Sequence, residues 1–118
     1  MKVLIVDDQE VNRKLPAAIL GKYEIETLSA GDGQSALDLV KQHPDITHLL
    51  LDVSMPGMSG TEVCRILKQD SSSSHLYVIA YTAHAFPSEK KEIMAAGFDE
   101  LLIKPITKAG LLASLGMA

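Results

Sequence analysis

Four short apolar runs in this chain each end in a residue able to do chemistry. Val3-Leu4-Ile5-Val6 leads into Asp7-Asp8, Leu49-Leu50-Leu51 into Asp52, Val78-Ile79-Ala80-Tyr81 into Thr82, and Leu101-Leu102-Ile103 into Lys104-Pro105. Runs this short and this continuously apolar read as strands buried on both faces, the pattern of a parallel sheet covered by helices. Right-handed crossovers then bring every strand C-terminus to one edge, so the polar groups collect there. With the first and third strands adjacent, Asp7, Asp8 and Asp52 meet, and their repulsion has to be offset by a cation or by proton uptake. A divalent-metal site is the leading expectation.

The intervening segments supply the helices. Residues 2 to 6 read as a strand and Glu10 to Gly21 as a helix with Val11, Leu15, Ala18 and Ile19 turned inward. Pro16 removes a helix N–H and clashes one turn back, so a kink or a late helix start is expected. A strand from Glu24 to Ser29 precedes the turn Gly31-Asp32-Gly33. Ala36, Leu37, Leu39 and Val40 then mark a helix ending near His43, before Pro44. The strand Thr47 to Leu51 is followed by a Pro/Gly-rich loop from Met55 to Gly60 and a helix marked by Val63, Ile66 and Leu67. Ser71 to Ser74 is a polar connection to a strand from Leu76 to Tyr81. A helix from about Ser88 to Ala96, capped by Ser88 and stopped at Gly97, leads to the strand Leu101 to Ile103 and a last helix from Lys108 to Leu115. Five βα units argue for an α/β fold with a parallel sheet covered on both faces.

Length and charge narrow the function. A chain of 118 residues makes one domain, residues 1 to 118, with a single core. Eleven Lys and Arg stand against fifteen Asp and Glu, a net charge of −4 without a basic stripe, which speaks against a nucleic-acid binder. The one cysteine, Cys64, sits in an apolar stretch and reads as a buried thiol in a reducing, cytosolic setting. No apolar stretch approaches the roughly 20 residues of a membrane span.

The marks Asp7-Asp8, Asp52 with Met55-Pro56 and Gly60 behind it, Thr82-Ala83 and Lys104-Pro105 follow one another through the whole chain. In this the sequence resembles the receiver domain of two-component signalling, the phosphoacceptor module of response regulators and hybrid histidine kinases. The resemblance implies a flavodoxin-like, doubly wound (βα)5 three-layer fold with strand order 2-1-3-4-5. It implies that Asp52 accepts a phosphoryl group from a phosphohistidine on a histidine kinase or histidine phosphotransfer protein. Asp7, Asp8, Asp52 and the backbone carbonyl at Ser54 would hold Mg2+, while Lys104 and Thr82 would bind phosphoryl oxygens and Pro105 would follow a cis bond. It further implies Mg2+-dependent self-phosphorylation and self-dephosphorylation, with no fused output domain in this chain. The setting would be the cytoplasm, or the cytoplasmic portion of a membrane-bound hybrid kinase. The face of the fourth and fifth helices is the expected homodimer surface, and Asn12 and Pro105 are the expected contacts for the histidine-bearing partner.

The residue types make chemical sense without the family. Phosphoryl transfer asks for an in-line nucleophile and compensation of the charge on the equatorial oxygens. An ionised Asp52 is a competent nucleophile, a cluster of hard carboxylate oxygens suits Mg2+, Lys104 brings a point charge and Thr82 a donor. Taken singly, an acidic pair is a solvated turn, the threonine a cap and the lysine a surface charge; only the joint pattern selects the site. His84, two residues past Thr82, suits an access-controlling or second-layer role or a plain loop position; His43, His48 and His75 lack ligand spacing. Where many receivers carry an aromatic switch residue, three positions before the lysine, this chain has Leu101, which puts coupled switching with Thr82 in question. Tyr81 points to the opposite side of its strand from Thr82 and is no simple substitute. Three other functions compete. A pseudo-receiver is opposed by the intact Asp52, Thr82 and Lys104, and a small-molecule phosphohydrolase lacks a cap segment. A flavodoxin-like cofactor protein would place Asp7-Asp8 where a phosphate needs backbone donors.

Overall fold

A computed structural model describes residues 1–83 and 86–117. Its elements alternate strictly: β1 (Lys2–Val6), α1 (Glu10–Gly21), β2 (Glu26–Ala30), α2 (Gly33–Gln42), β3 (His48–Asp52), α3 (Gly60–Gln69), β4 (Tyr77–Thr82), α4 (Pro87–Ala95), β5 (Glu100–Ile103) and α5 (Lys108–Ser114). The strands form one parallel sheet in the order β2-β1-β3-β4-β5. The flavodoxin-like expectation holds, with β2 and β3 shifted about one to two residues later than their patterns suggested.

Alternation along each strand divides the core in two. Leu4, Val6, Leu49, Leu51, Val78 and Ala80 face α2, α3 and α4, whose Ala36, Val63, Cys64, Leu67 and Ile93 close that layer. Val3, Ile5, Leu50, Ile79 and Tyr81 face the other way, against Leu20 of α1 and Leu111, Leu112 and Leu115 at the α5 end. All these strand residues are buried, as expected for a parallel sheet sandwiched between helices. Cys64 lies wholly inside, where burial pushes its thiol pKa up to about 11, so it packs as a small hydrophobe.

Helix α1 departs from its expected orientation. Val11, at 69% exposure, and Leu15, at 49%, face solvent, as does Ala18, while Pro16 and Leu20 are buried and Ala17 and Ile19 pack partly. A stripe at i and i+4 sets the inner face. Pro16 and Leu20 form that stripe, so Val11, Leu15 and Ala18 turn outward, and of the four residues expected inside only Ile19 packs, in part. Nor does the helix start late: it begins at Glu10 and carries Pro16 inside it. Helix α4 begins at Pro87, the favoured first position for proline, with Phe86 in the N-cap place; Ser88 is already helical and caps nothing. Gly97 ends that helix region at φ +108°, a conformation other residues adopt only with strain.

One glycine sets the distance between α3 and the end of β3. A Cβ on Gly60 would run into the Asp52 carbonyl oxygen and approach the Val53 Cα at 2.8 Å, and the Gly60 N–H donates to the Val53 carbonyl at 2.9 Å. Gly60→Ala is expected to lower stability by about 1–3 kcal/mol in urea unfolding, because backbone has to move to admit the methyl. Gly21→Ala, at a helix end with open space around it, is the control and should be neutral or slightly stabilising.

Candidate functional site

Register places the acidic residues side by side. Val6 pairs with Leu51, so the next residues, Asp7 and Asp52, stand level on neighbouring strands, and Asp52 in turn pairs with Tyr81. Residues level on parallel strands project from the same face, and adjacent strands lie about 4.8 Å apart. Asp7, Asp52 and Tyr81 therefore form one row at the C-terminal edge, on the α1/α5 side. Carboxylate oxygens of Asp7, Asp8 and Asp52 all fall within 4.8 Å of one another. Asp7 and Asp52 are buried, and the more exposed Asp8 leaves the cluster open to solvent.

Lys104 closes the row from above. Its Nζ lies 3.3 Å from Asp7 Oδ2 and 3.4 Å from Asp52 Oδ1, and 4.4 Å from the centre of the Tyr81 ring. The Lys104 N–H donates to the Thr82 carbonyl at 2.7 Å, tying this segment to the end of β4, and the Lys104–Pro105 bond is cis as expected. Main chain also bonds both carboxylates: Asp7 Oδ1 accepts from the Gln9 N–H at 2.9 Å, and Asp52 Oδ1, the oxygen nearest Lys104, from the Ser54 N–H at 3.3 Å. The Arg13 guanidinium donates to the Asp7 carbonyl at 2.7 Å, holding α1 against the end of β1.

Burial, and then the neighbouring Asp7 charge, raise the Asp52 pKa above the ordinary carboxylate range; Lys104 and the Ser54 N–H pull it back only in part. Burial together with the charges of Asp7 and Asp52 pushes the Tyr81 hydroxyl up to about 12, so it stays a donor at neutral pH. The arrangement thus holds more negative charge than one ammonium balances. A cluster of oxygen-only donors, two of them buried and one facing solvent, fits a divalent cation.

Of the residues singled out in the sequence, Asp8, Asn12, Asp52, Ser54, Thr82 and Lys104 line one open cleft. Asp7 sits buried beneath it. Leu101 does not join them: it stands beside Ala80, one level below Tyr81, and packs partly buried against the α2–α4 layer. His84 lies outside the described residues. Among the described residues the one group able to hold a metal ion is Asp7, Asp8 and Asp52. Gln9 and Glu89 also line the cleft and were not picked out from the sequence. The signal for Glu89 was its place in the first turn after Pro87; that this turn approaches the β3 end follows only from the chain path.

The chain matches the family model described as response regulator receiver domain over residues 3–116. Among curated relatives, the polar-differentiation response regulator DivK of Brucella anthropi is 38% identical over 106 residues, 89% of this chain and 85% of the relative. The solved structure of the chemotaxis protein CheY4 of Vibrio cholerae superposes with a TM-score of 0.90 at 30% identity, over 98% of this chain and 95% of that one. The signal receiver domain of a signal transduction histidine kinase from Syntrophus aciditrophicus shares the fold, with a TM-score of 0.89 at 24% identity over 98% of this chain and 86% of that one.

The charge imbalance has a measurable consequence. A carboxyl whose folded pKa is raised binds its proton more tightly in the native state than in the unfolded chain, so it costs stability as pH rises from the unfolded value through the folded one. Without divalent cation, Asp52→Asn should therefore melt at a higher temperature than the parent, the gap opening over that pH window and staying constant above it. The lowered pKa values of Asp32, Asp45 and Asp70 contribute alike to both proteins and cancel. Adding a divalent cation should raise the parent's melting temperature and narrow the gap. Thermal melts between pH 4 and pH 8 (roughly the window that carboxylate titration spans) test both.

Proposed function

We propose, for a chain that belongs to the response regulator receiver domain family, that Asp52 is the phosphoacceptor of a two-component or phosphorelay system and takes its phosphoryl group from a partner phosphohistidine. The observation that carries this is the row of Asp7 and Asp52 beneath Lys104, open to solvent through a cleft that Thr82 also lines. A carboxylate oxygen of Asp52 attacks the phosphorus as the P–N bond to the donor imidazole breaks. The bonding pair leaves with the imidazole nitrogen, and the product is an acyl phosphate on Asp52.

The chain's own groups account for the electrostatics of the step. Lys104, already within reach of Asp52, meets one phosphoryl oxygen, and the Thr82 hydroxyl at the cleft wall serves another. The acyl phosphate carries more negative charge than the carboxylate it replaces, so the step depends on the positive charge of Lys104, 3.4 Å from Asp52 Oδ1. Asp7, Asp8 and Asp52, with the main-chain carbonyl of Ser54, would hold Mg2+, which when bound compensates the negative charge gathered there. Asn12, on the cleft wall at the start of α1, and Pro105, next in sequence to Lys104, would meet the donor protein in this reading. Leu101 packs in the partly buried layer next to Ala80, so switching through it would take the form of a shift in aliphatic packing. Phosphorylation changes affinity for partners by redistributing surface states around β4, α4 and β5. A homodimer through the α4 and α5 face belongs to this reading, and light scattering of the phosphorylated chain at high concentration tests it. Among the described residues no helix is long and apolar enough to cross a membrane; a cytoplasmic setting completes the proposal.

Incubation with acetyl phosphate, followed by intact-mass spectrometry, is expected to add one phosphoryl group to the parent in the presence of Mg2+. Chelation should abolish the adduct, and Asp52→Asn should show none. An adduct that persists in Asp52→Asn would move the acceptor elsewhere. No adduct in the folded parent, with no beryllofluoride complex either, would turn the reading toward a constitutive interaction domain.

A further inference from the structure

Pro16 and Tyr81, which the phosphoacceptor reading leaves without a role, are joined across the sheet face. Proline has no N–H, so Pro16 offers nothing to the Asn12 carbonyl one turn earlier in α1. The Tyr81 hydroxyl donates to that same carbonyl at 3.4 Å. Tyr81 is 96% buried and level with Asp52 in the strand register, and the face of its ring lies 4.4 Å below the Lys104 ammonium. One side chain therefore touches α1 through its hydroxyl and the cationic group of the site through its ring.

The face of an aromatic ring attracts an ammonium, and more strongly where water is excluded. Lys104 is a long flexible side chain, reaching across from the end of β5 to two carboxylates. Without a support beneath it, the ammonium has many rotamers to choose from and loses entropy when confined. A ring fixed at both ends removes much of that freedom.

We infer that Tyr81 is a positioning residue for Lys104: its ring holds the ammonium between Asp7 and Asp52, and its hydroxyl is anchored on the α1 carbonyl that Pro16 leaves open. The proline inside α1 is thus part of the site's support, linking the helix that borders the cleft to the lysine above it. Arg13, the next residue after Asn12, bonds the Asp7 carbonyl at 2.7 Å, so α1 holds both the acidic and the basic side of the row. The inference rests on Asp52 as phosphoacceptor for its kinetic reading, and on the contact alone for its spectroscopic one.

The test uses Tyr81→Phe, which keeps the ring and removes the hydroxyl, Tyr81→Leu, which removes both, and Pro16→Ala, which returns an N–H to compete for the Asn12 carbonyl. The second-order rate of phosphoryl uptake from acetyl phosphate at saturating Mg2+ should fall about fivefold to thirtyfold in Tyr81→Leu, the range a buried cation–π contact supports. It should recover to within about twofold of the parent in Tyr81→Phe, the weaker effect of a lost neutral hydrogen bond. Pro16→Ala should match Tyr81→Phe, and the two together should add nothing. In parallel, the Lys104 side-chain methylene protons should resonate upfield from the ring current in the parent and Tyr81→Phe and return to ordinary positions in Tyr81→Leu.

Tyr81→Phe as slow as Tyr81→Leu, or no change in either, overturns the positioning role; additive losses in Pro16→Ala and Tyr81→Phe overturn the anchoring. Should Tyr81→Leu fail to fold, the upfield Lys104 signals in the parent and in Tyr81→Phe still decide, and their absence overturns the contact. A parent that takes no phosphoryl group sinks the phosphoacceptor reading alone, and the Lys104 signals then judge Tyr81 by themselves.

Discussion

Everything at the C-terminal edge of the sheet depends on two carboxylates that water cannot reach well. Asp7 and Asp52 are level on adjacent strands and both are buried, so their repulsion is screened less than it would be at the surface. The Lys104 ammonium, within 3.4 Å of each, offsets part of it. Burial first, and then the Asp7 charge beside it, raise the Asp52 pKa, which the one ammonium offsets only in part, and Asp8 adds a third carboxylate at the solvent side. A site held in that condition gains from any positive charge that enters it, and the cleft is where one can enter.

The backbone is organised to hold the cluster at close quarters. Gly60 lets the start of α3 press against the Asp52 carbonyl, where any side chain would collide. Main-chain N–H groups of Gln9 and Ser54 bond the Asp7 and Asp52 carboxylates, and the Lys104 N–H bonds the end of β4. Each of these bonds orients a group before any ligand arrives, which is the form of preorganisation that charge stabilisation needs. Tyr81 extends the same logic to the lysine side chain, and through Asn12 and Pro16 to α1.

Much of this was legible in the chain. Continuous apolar runs fixed the strands, and the polar residues that end them named the site, because in a parallel sheet the side chain after the last buried residue has one place to go. Leu15 and Val11 show where such reading stops. Both are aliphatic at helical spacing in α1 and both face solvent, because the face a helix buries depends on the neighbour it packs against, and here Pro16 and Leu20 meet the sheet. Ser88 looked like a cap, but the chain turns into α4 one residue sooner, at Pro87. Gln9 and Glu89 carried no motif and reach the cleft only because the starts of α1 and α4 converge on it.

By itself, then, the sequence determined the βα alternation, the layered α/β class and the identity of the groups that gather at one edge, since hydrophobic period and residue chemistry are local properties. Tertiary structure alone decided which groups touch. The strand register sets Asp7, Asp52 and Tyr81 in one row, the rotation of α1 brings the Asn12 carbonyl to the Tyr81 hydroxyl, and the reach of Lys104 across three strands completes the set. Those contacts join residues as many as 97 positions apart, and only the packing of one element on another fixes distances over such separations.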